Sequence, residues 1–396
     1  TITISGTGFG TSGDVLIGGV QATASSWTDT AIQVVVPADA PSGPQRLEVT
    51  TTGGASTLDG LFVGAQFDGA AADLQAFIDS QPRGTAVLLE SEVYDLGSSP
   101  LYVNGRSLHG GGRGETTIVA LGMLFVVERG TTVTVADVTL QANSVFYLEG
   151  DLDGVRPFSV LNSAAEPTDL ESRLSALVAL APQAVPNRGR LVMERVTAEA
   201  TTMTSSMFGM PPVLVPSLDL DLNDVSLEFE NLLLGVAGDM SLEDVEAVGA
   251  SAIVVALAGS LELDVSMIEA SGGIYMGADF AVGVSDSTLR AANGDIELLG
   301  ALTYESGGSM PPFGGPVTVT GSIIEALDAD FADATDTGNI EISTIMAPVT
   351  LTDNQVIRAH QDVMVSSEAF IGGADIVISG NADIRAGVFV DEDPAN

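Results

Sequence analysis

LDLNDVSLEFE at 220–230, SLEDVEAVGAS at 241–251 and LELDVSMIEAS at 261–271 share one shape. In each, an alternating strand runs into Asp-Val or an equivalent and continues as a second short strand. Asp224, Asp244 and Asp264 are spaced by 20 residues each. The shape is present upstream as TVTVADVTLQA (132–142) and RLVMERVTAEA (190–200). Downstream it recurs as STLRAA (287–292), SIIEAL (322–327), QVIRAH (355–360) and ADIRAG (382–387), at longer intervals that mark inserted loops. A period near 20 with two or three short strands per unit reads as one turn of a parallel β-solenoid. One turn cannot bury its own apolar face, whereas a stack of turns can. Helical repeats would need longer periodic runs and fewer glycines. The pattern predicts that Val225, Val245 and Val265 stack into one interior ladder. Asp224, Asp244 and Asp264 then fall at a strand corner or on the outside.

Working upstream, Leu74, Phe77 and Ile78 fall at helical spacing, with Asp68 placed to cap the helix and Gly84 to stop it. Ala86-Val87-Leu88-Leu89 follows as a buried strand, then Val93-Tyr94. The stretch DLQAFIDSQPRGTAVLLESEVYDLGSSPLYVNGRSLHGGGRGETTIVALG (73–122) resembles the N-terminal cap and first coils of pectin-lyase-like right-handed parallel β-helices. The matching elements are the helix at 71–80, the strand Val87–Leu89, Tyr94 and the Gly-rich turn LHGGGRGETTI. With the repeats, the resemblance runs from about 68 to 390. It implies a fold that hosts polysaccharide lyases, hydrolases and esterases.

Residues 1–64 have a different rhythm of short strands between Gly and Pro turns. Ile2 and Ile4 alternate with Thr1 and Thr3; Val15, Ile17 and Val20 flank Gly18-Gly19; Ile32, Val34 and Val36 precede Pro37. Gly43-Pro44 precedes Leu47 and Val49, and Gly53-Gly54 makes a further turn. This spacing predicts a small antiparallel sandwich. The Gly6-x-Gly8-Phe9-Gly10 turn, Pro37 closing a strand and the Gly43 turn make the segment similar to IPT/TIG domains, which are immunoglobulin-like. The resemblance implies spacer or binding roles and no chemistry. The strand that normally opens such domains lies upstream of a segment like Thr1–Ser5, so it would be supplied by a preceding segment or by a neighbour. The chain opens directly on a strand pattern, and an upstream segment is expected. Trp27, the single Trp, reads as a partly buried core aromatic or as a ligand platform.

The fold class that follows is all-β: an Ig-like sandwich at 1–64, then a parallel β-helix at 65–396 with a capping helix. Insertions fall near 156–189, 201–216 and 305–316. Within the first, Thr168-Asp169-Leu170-Glu171 is a capping box, and Leu170, Leu174, Leu177 and Val178 form a stripe on a helix expected at about 169–180.

Composition excludes several functions. The chain has 396 residues, 45% of them hydrophobic, and a formal net charge of -40. All 13 basic residues are Arg, and without clustered Lys and Arg nucleic acid is not a partner. With 0 Cys there is no disulfide, thiol nucleophile or thiolate metal site, and 2 His exclude most His-based sites. No uncharged apolar run is long enough to span a bilayer. The acidity suits a solvated face in salty or extracellular surroundings.

A glycan hydrolase on this fold needs paired carboxylates flanking the scissile bond. The superfamily's Asn-Thr-Asp, Asp-Asp, Gly-His-Gly and Arg-Ile-Lys motifs do not occur. His109 lies in Leu108-His109-Gly110, away from any paired Asp in sequence, and Arg358 repeats as Arg385, which reads as periodic surface. A lyase needs a basic residue beside calcium-binding acids, yet no Arg occurs between Arg195 and Arg290. No catalytic residue is therefore assigned. Asp328, Asp330, Asp333, Asp336 and Glu341 form an acidic loop that is either a calcium site or a solvated loop. Met207, Phe208 and Met210 in one loop, Met310 and Phe313 in another, and Leu170 and Leu174 on the inserted helix are candidate interface residues. The two loops are equally able to cover each other. The expected function is a non-catalytic structural or adhesive protein of a bacterial surface assembly, extracellular or at the cell surface. Its partners would be other copies or envelope proteins. The alternatives are a glycan-binding module, with Tyr102, Tyr147, Tyr275 and Tyr304 as exposed aromatics, and a polysaccharide lyase or hydrolase.

Overall fold

Alternation of apolar and polar residues over short runs closes the first 63 residues into six antiparallel strands. These are β1 (Ile2–Ser5), β2 (Gly13–Ile17), β3 (Val20–Trp27), β4 (Ala31–Val35), β5 (Gly43–Thr51) and β6 (Gly54–Val63), hydrogen-bonded in the order β1-β4-β3-β2-β5-β6. Their inward residues Val15, Ile17, Ile32, Val34, Leu47 and Val49 are buried together. Trp27 is half-buried at the side of this core, and its Nε1 donates to the Phe9 carbonyl at 3.1 Å. That favours the structural reading of the residue. The computed structural model describes residues 1–149, 188–204, 218–256, 259–300, 314–327, 338–345, 347–368 and 375–386. Among them, no helix is long and apolar enough to cross a membrane.

From β7 (Ala65–Phe67) onward every strand pairing is parallel. A short helix, α1 (Leu74–Ser80), buries Leu74 and Ile78 and caps the stack. It begins after a 3-10 turn at Ala71–Asp73, with Asp73 rather than Asp68 at its N-cap position, and neither residue makes a side-chain cap bond. It ends at Gln81, which is extended. Pro82 accounts for that end, because the residue before a proline is driven out of the helical region; Gly84 serves the turn that follows, at φ 78°.

Each coil contributes three strands, so three parallel sheets run the length of the solenoid. Residues 132–136, 138–142 and 144–149 form one coil, and Ser260–Asp264, Met267–Ala270 and Ile274–Ala278 another. Inward side chains stack in register. On the first sheet the ladder is Val87, Leu108, Val135, Met193, Leu222, Leu242, Leu263, Val284, Val319 and Leu351, all essentially fully buried. On the second sheet Ile268, Leu289, Ile324 and Ile357 stack likewise. The recurring Ala of the downstream repeats is a column of its own, Ala270, Ala291, Ala326 and Ala359.

The corner between the first two sheets explains the Asp repeat and corrects part of it. Asp137, Arg195, Asp224, Asp244, Val265, Asp286 and Asp353 all have positive φ of 45–57° there, and Gly321 and Gly380 occupy the same place at φ 65° and 68°. Asp is among the side chains that tolerate the left-handed region best. At Gly321 a Cβ would lie 2.2 Å from Asp286 Oδ1, an exposed carboxylate that would have to turn aside, so the positive φ is what favours glycine there. Val225 and Val245 are in register and buried, as predicted. Val265 is not their continuation: it is 57% exposed, and Ser266 takes the interior place. The register passes from Glu243 to Asp264 and from Glu246 to Met267, so this coil is one residue longer. The extra residue moves the left-handed position from Asp264 to Val265.

From that coil onward the interior corner position is polar. Ser266 Oγ accepts the Val245 N–H at 2.9 Å, Ser287 Oγ that of Ser266 at 3.0 Å, and Ser322 Oγ that of Ser287 at 3.2 Å. Asn354 Oδ1 then accepts from Ser322 and Asn381 Oδ1 from Asn354, both at 3.0 Å. A buried backbone N–H left without a partner is costly, and here each coil caps the N–H of the coil before it.

Candidate functional site

Three features are candidates for function. The first is charged and lies on the early coils. Asp137, at the left-handed corner, receives a fork from Arg195, Nε to Oδ1 at 2.6 Å and Nη2 to Oδ2 at 2.6 Å. His109 Nδ1 lies 3.4 Å from Asp137 Oδ2. In the next coils Arg113 pairs with Asp224, and Glu194 sits 3.5 Å from Arg195. The His109 ring stacks on Phe62 at the end of β6, with centroids 3.8 Å apart and planes at 6°. Burial lowers the His109 pKa below its ordinary value; Asp137 opposes that shift and Arg195 adds to it. Along the sequence His109 is isolated, because its partners Phe62 and Asp137 come from 47 residues upstream and 28 downstream. The arrangement is neither a nucleophile–base pair nor two carboxylates facing one bond. Its carboxylate is held by a guanidinium fork, a geometry that fixes position.

The second feature is a charged column on the outside of the second sheet. Glu269, Arg290, Glu325 and Arg358 alternate in register across successive coils, and Arg385 follows Arg358, with Asp383 beside both. Arg290 reaches Glu269 at 2.5 Å and Glu325 at 2.9 Å, and Arg358 reaches Glu325 at 3.4 Å. This is the periodic surface expected of Arg358 and Arg385. Half-exposed pairs of this kind contribute little, so Arg290→Gln is expected to cost no more than about 1 kcal/mol. The cost should shrink further in 1 M salt, where the Debye length is about 3 Å; urea titrations at low and high salt measure it.

The third is a groove in the sandwich. Among the described residues, β1 and β6 are the two ends of the strand order, each with one edge that pairs with no other strand. Between them is a cavity of about 550 Å³. Ile4 to Phe9 line one side, and Leu47, Val49, Thr51 and Gly53 to Leu58 the other. Leu58 is 60% exposed at its lip.

Other sequence-predicted residues separate into those the structure places and those outside the described residues. Glu341 lies on the strand Ile340–Ile345, in register with Glu297 and Met364. Asp328, Asp330, Asp333 and Asp336 lie outside the described residues. So do Met207, Phe208, Met210, Met310, Phe313, Leu170 and Leu174, together with the helix expected at 169–180. Among the described residues, no group of three or more His, Asp or Glu is arranged to hold a metal ion. Tyr102, Tyr147 and Tyr275 are buried and are not the exposed aromatics a glycan platform needs; Tyr304 lies outside the described residues. Tyr147 belongs to the interior core, whereas Tyr102 and Tyr275 stand between the inward neighbours Leu101 and Val103, and Ile274 and Met276, and are buried outside that core, which tertiary packing and not strand alternation decides.

Comparison with known proteins places residues 1–63 in the IPT/TIG domain family. No curated protein matches the chain. Among solved structures it is similar to the catalytic unit of a thermostable GH87 alpha-1,3-glucanase from Streptomyces thermodiastaticus strain HF3-3. The identity is 11% over 97% of this chain and 86% of that one, and the TM-score is 0.28. A similarity at that score bears on neither the fold nor the chemistry of this chain.

Proposed function

We propose that this chain is a non-catalytic structural or adhesive module of a bacterial surface assembly, working outside the cell. The observation that carries the reading is the groove between the free edges of β1 and β6, held in an IPT/TIG domain and mounted on a stiff solenoid. An exposed strand edge offers a row of backbone donors and acceptors to another extended segment, and the apolar pockets beside it select that segment's alternate side chains. Strand addition into the groove is therefore the proposed mode of contact. The solenoid supplies length and rigidity. A surface with net charge -40 keeps copies apart except where apolar contact is built in.

Electron microscopy of the purified chain, with calcium and after chelation, tests the reading. Sheets, tubes or filaments are expected, and their loss on chelation would assign calcium a part in the contact. Isolated rods under both conditions would overturn it. Leu58→Asp places a charge at the lip of the groove and is expected to abolish assembly while leaving the unfolding free energy within about 0.5 kcal/mol of the parent.

A further inference from the structure

Specific contacts join the sandwich to the solenoid. Ser42 Oγ, on the sandwich, accepts the N–H of Ala86 at 2.7 Å and donates to the Val63 carbonyl at 3.1 Å. Gly64, between β6 and β7, has no room for a side chain: a Cβ there would lie 2.1 Å from the Ala86 carbonyl oxygen. The rings of Phe62 and His109 also stack across the joint. His109 is itself fixed on the solenoid by its strand Ser107–His109, in register with Leu88 before it and Ala136 after it.

We propose that the Phe62–His109 stack is a latch, closed at neutral pH, that holds the sandwich in one orientation on the end of the solenoid and opens on acidification. The physical basis is linkage. Phe62 covers one face of the imidazole and removes water from it, which penalises the charged ring more than the neutral one. Any arrangement with Phe62 lifted returns that water, so protonation favours the lifted arrangement. The charged groups that bear on the imidazole are Asp137 and Arg195, and their effects oppose each other. Asp137 and Arg195 both belong to the solenoid and stay fixed to each other by their fork, so they bear on His109 alike whether Phe62 is in place or lifted. Leu88, Ala136 and Phe62 bring no charge. With the docked pKa below the undocked one, the His109 contribution to docking is full above the ordinary imidazole value of about 6.5. It is lost as pH falls toward and through the lowered value. A module that meets its partner through the sandwich would thereby change its reach with pH.

The chain holds 0 Cys, so two introduced ones report the joint without interference. Thr23→Cys on the sandwich, away from the groove, and Asp95→Cys on the solenoid are both at exposed positions. Spin labels on the full chain give a distance distribution at about pH 7.5 and about pH 5, either side of the imidazole range. One narrow distance at the higher pH and a second, broader population at the lower are expected. His109→Phe keeps a stacking ring and removes the proton, so it should stay narrow at both values; His109→Ala should be broad at both. The proposal is overturned if the parent is narrow at both, if His109→Phe broadens as the parent does, or if His109→Ala stays narrow. These outcomes are independent of whether the chain assembles.

Discussion

Asn354→Leu is expected to lower the unfolding free energy by about 2–6 kcal/mol, from two buried groups losing about 1–3 kcal/mol each. Asn354 is 1% exposed. Its Oδ1 accepts the Ser322 N–H at 3.0 Å, and its Nδ2 donates to the Val319 carbonyl at 3.0 Å and to Asn381 Oδ1 at 2.8 Å. Leucine has nearly the same size and fills the same space, so the loss isolates polar satisfaction from packing. The Ser322 N–H and the Val319 carbonyl would be left in an apolar corner with no water to replace the amide. Asn354→Ser is the informative control. Serine holds this position at 266, 287 and 322, where its Oγ accepts the N–H of the preceding coil. It should recover about half of the loss, since one bond to the preceding coil returns and the second does not. Denaturant titrations of the two variants decide the matter. Equal midpoints for Leu and Ser would mean that the corner ladder contributes nothing as hydrogen bonding.

The second large effect is a gradient along the core. Leu242→Ala should cost about 2–5 kcal/mol, the range for a buried leucine whose cavity cannot collapse. Leu242 is 1% exposed and sits between Leu222 and Leu263 in the ladder, with a coil on either side. Ile378 occupies the same ladder at the last described coil, beneath Leu351, but is 51% exposed. Ile378→Ala should therefore cost well under half as much, because less area leaves water on folding there, at about 25 cal/mol per Å². In a solenoid the stability is close to a sum over coils and their interfaces. A central cavity weakens two interfaces and a terminal one only its own. Equal losses at both positions would show that the last coil is covered as fully as the middle ones.

The parallel coil was legible because its signal is local. Whether Leu222 or Leu242 faces inward follows from period-2 alternation, and the recurrence of the unit near every 20 residues states the number of residues needed to go once round. The corner was legible as a place, since the repeated Asp marks a left-handed residue, but not as a register. One additional residue between Asp244 and Val265 is invisible to composition, yet it exchanges an interior valine for Ser266 and turns Val265 out to solvent. The Ser and Asn ladder was missed for the same reason: those residues read as loop polarity until the coil before them shows an N–H to be capped. Strand phase accounts for Tyr147 in the core; Tyr102 and Tyr275 are buried without belonging to it, which alternation does not encode. Residues such as Met207 and Asp328 lie outside the described part of the chain and stay as they were read.

By itself, then, the sequence determined an antiparallel sandwich followed by stacked parallel coils, because alternation and repeat length act between near neighbours along the chain. Only the tertiary structure decided which charges and rings meet. Arg195 grips Asp137 from 58 residues away, and Phe62 covers His109 across the joint of two differently built parts. The groove between β1 and β6 likewise exists only once the strand order is closed. Such contacts depend on how coils stack and strands order in space, and no periodicity along the chain encodes that meeting.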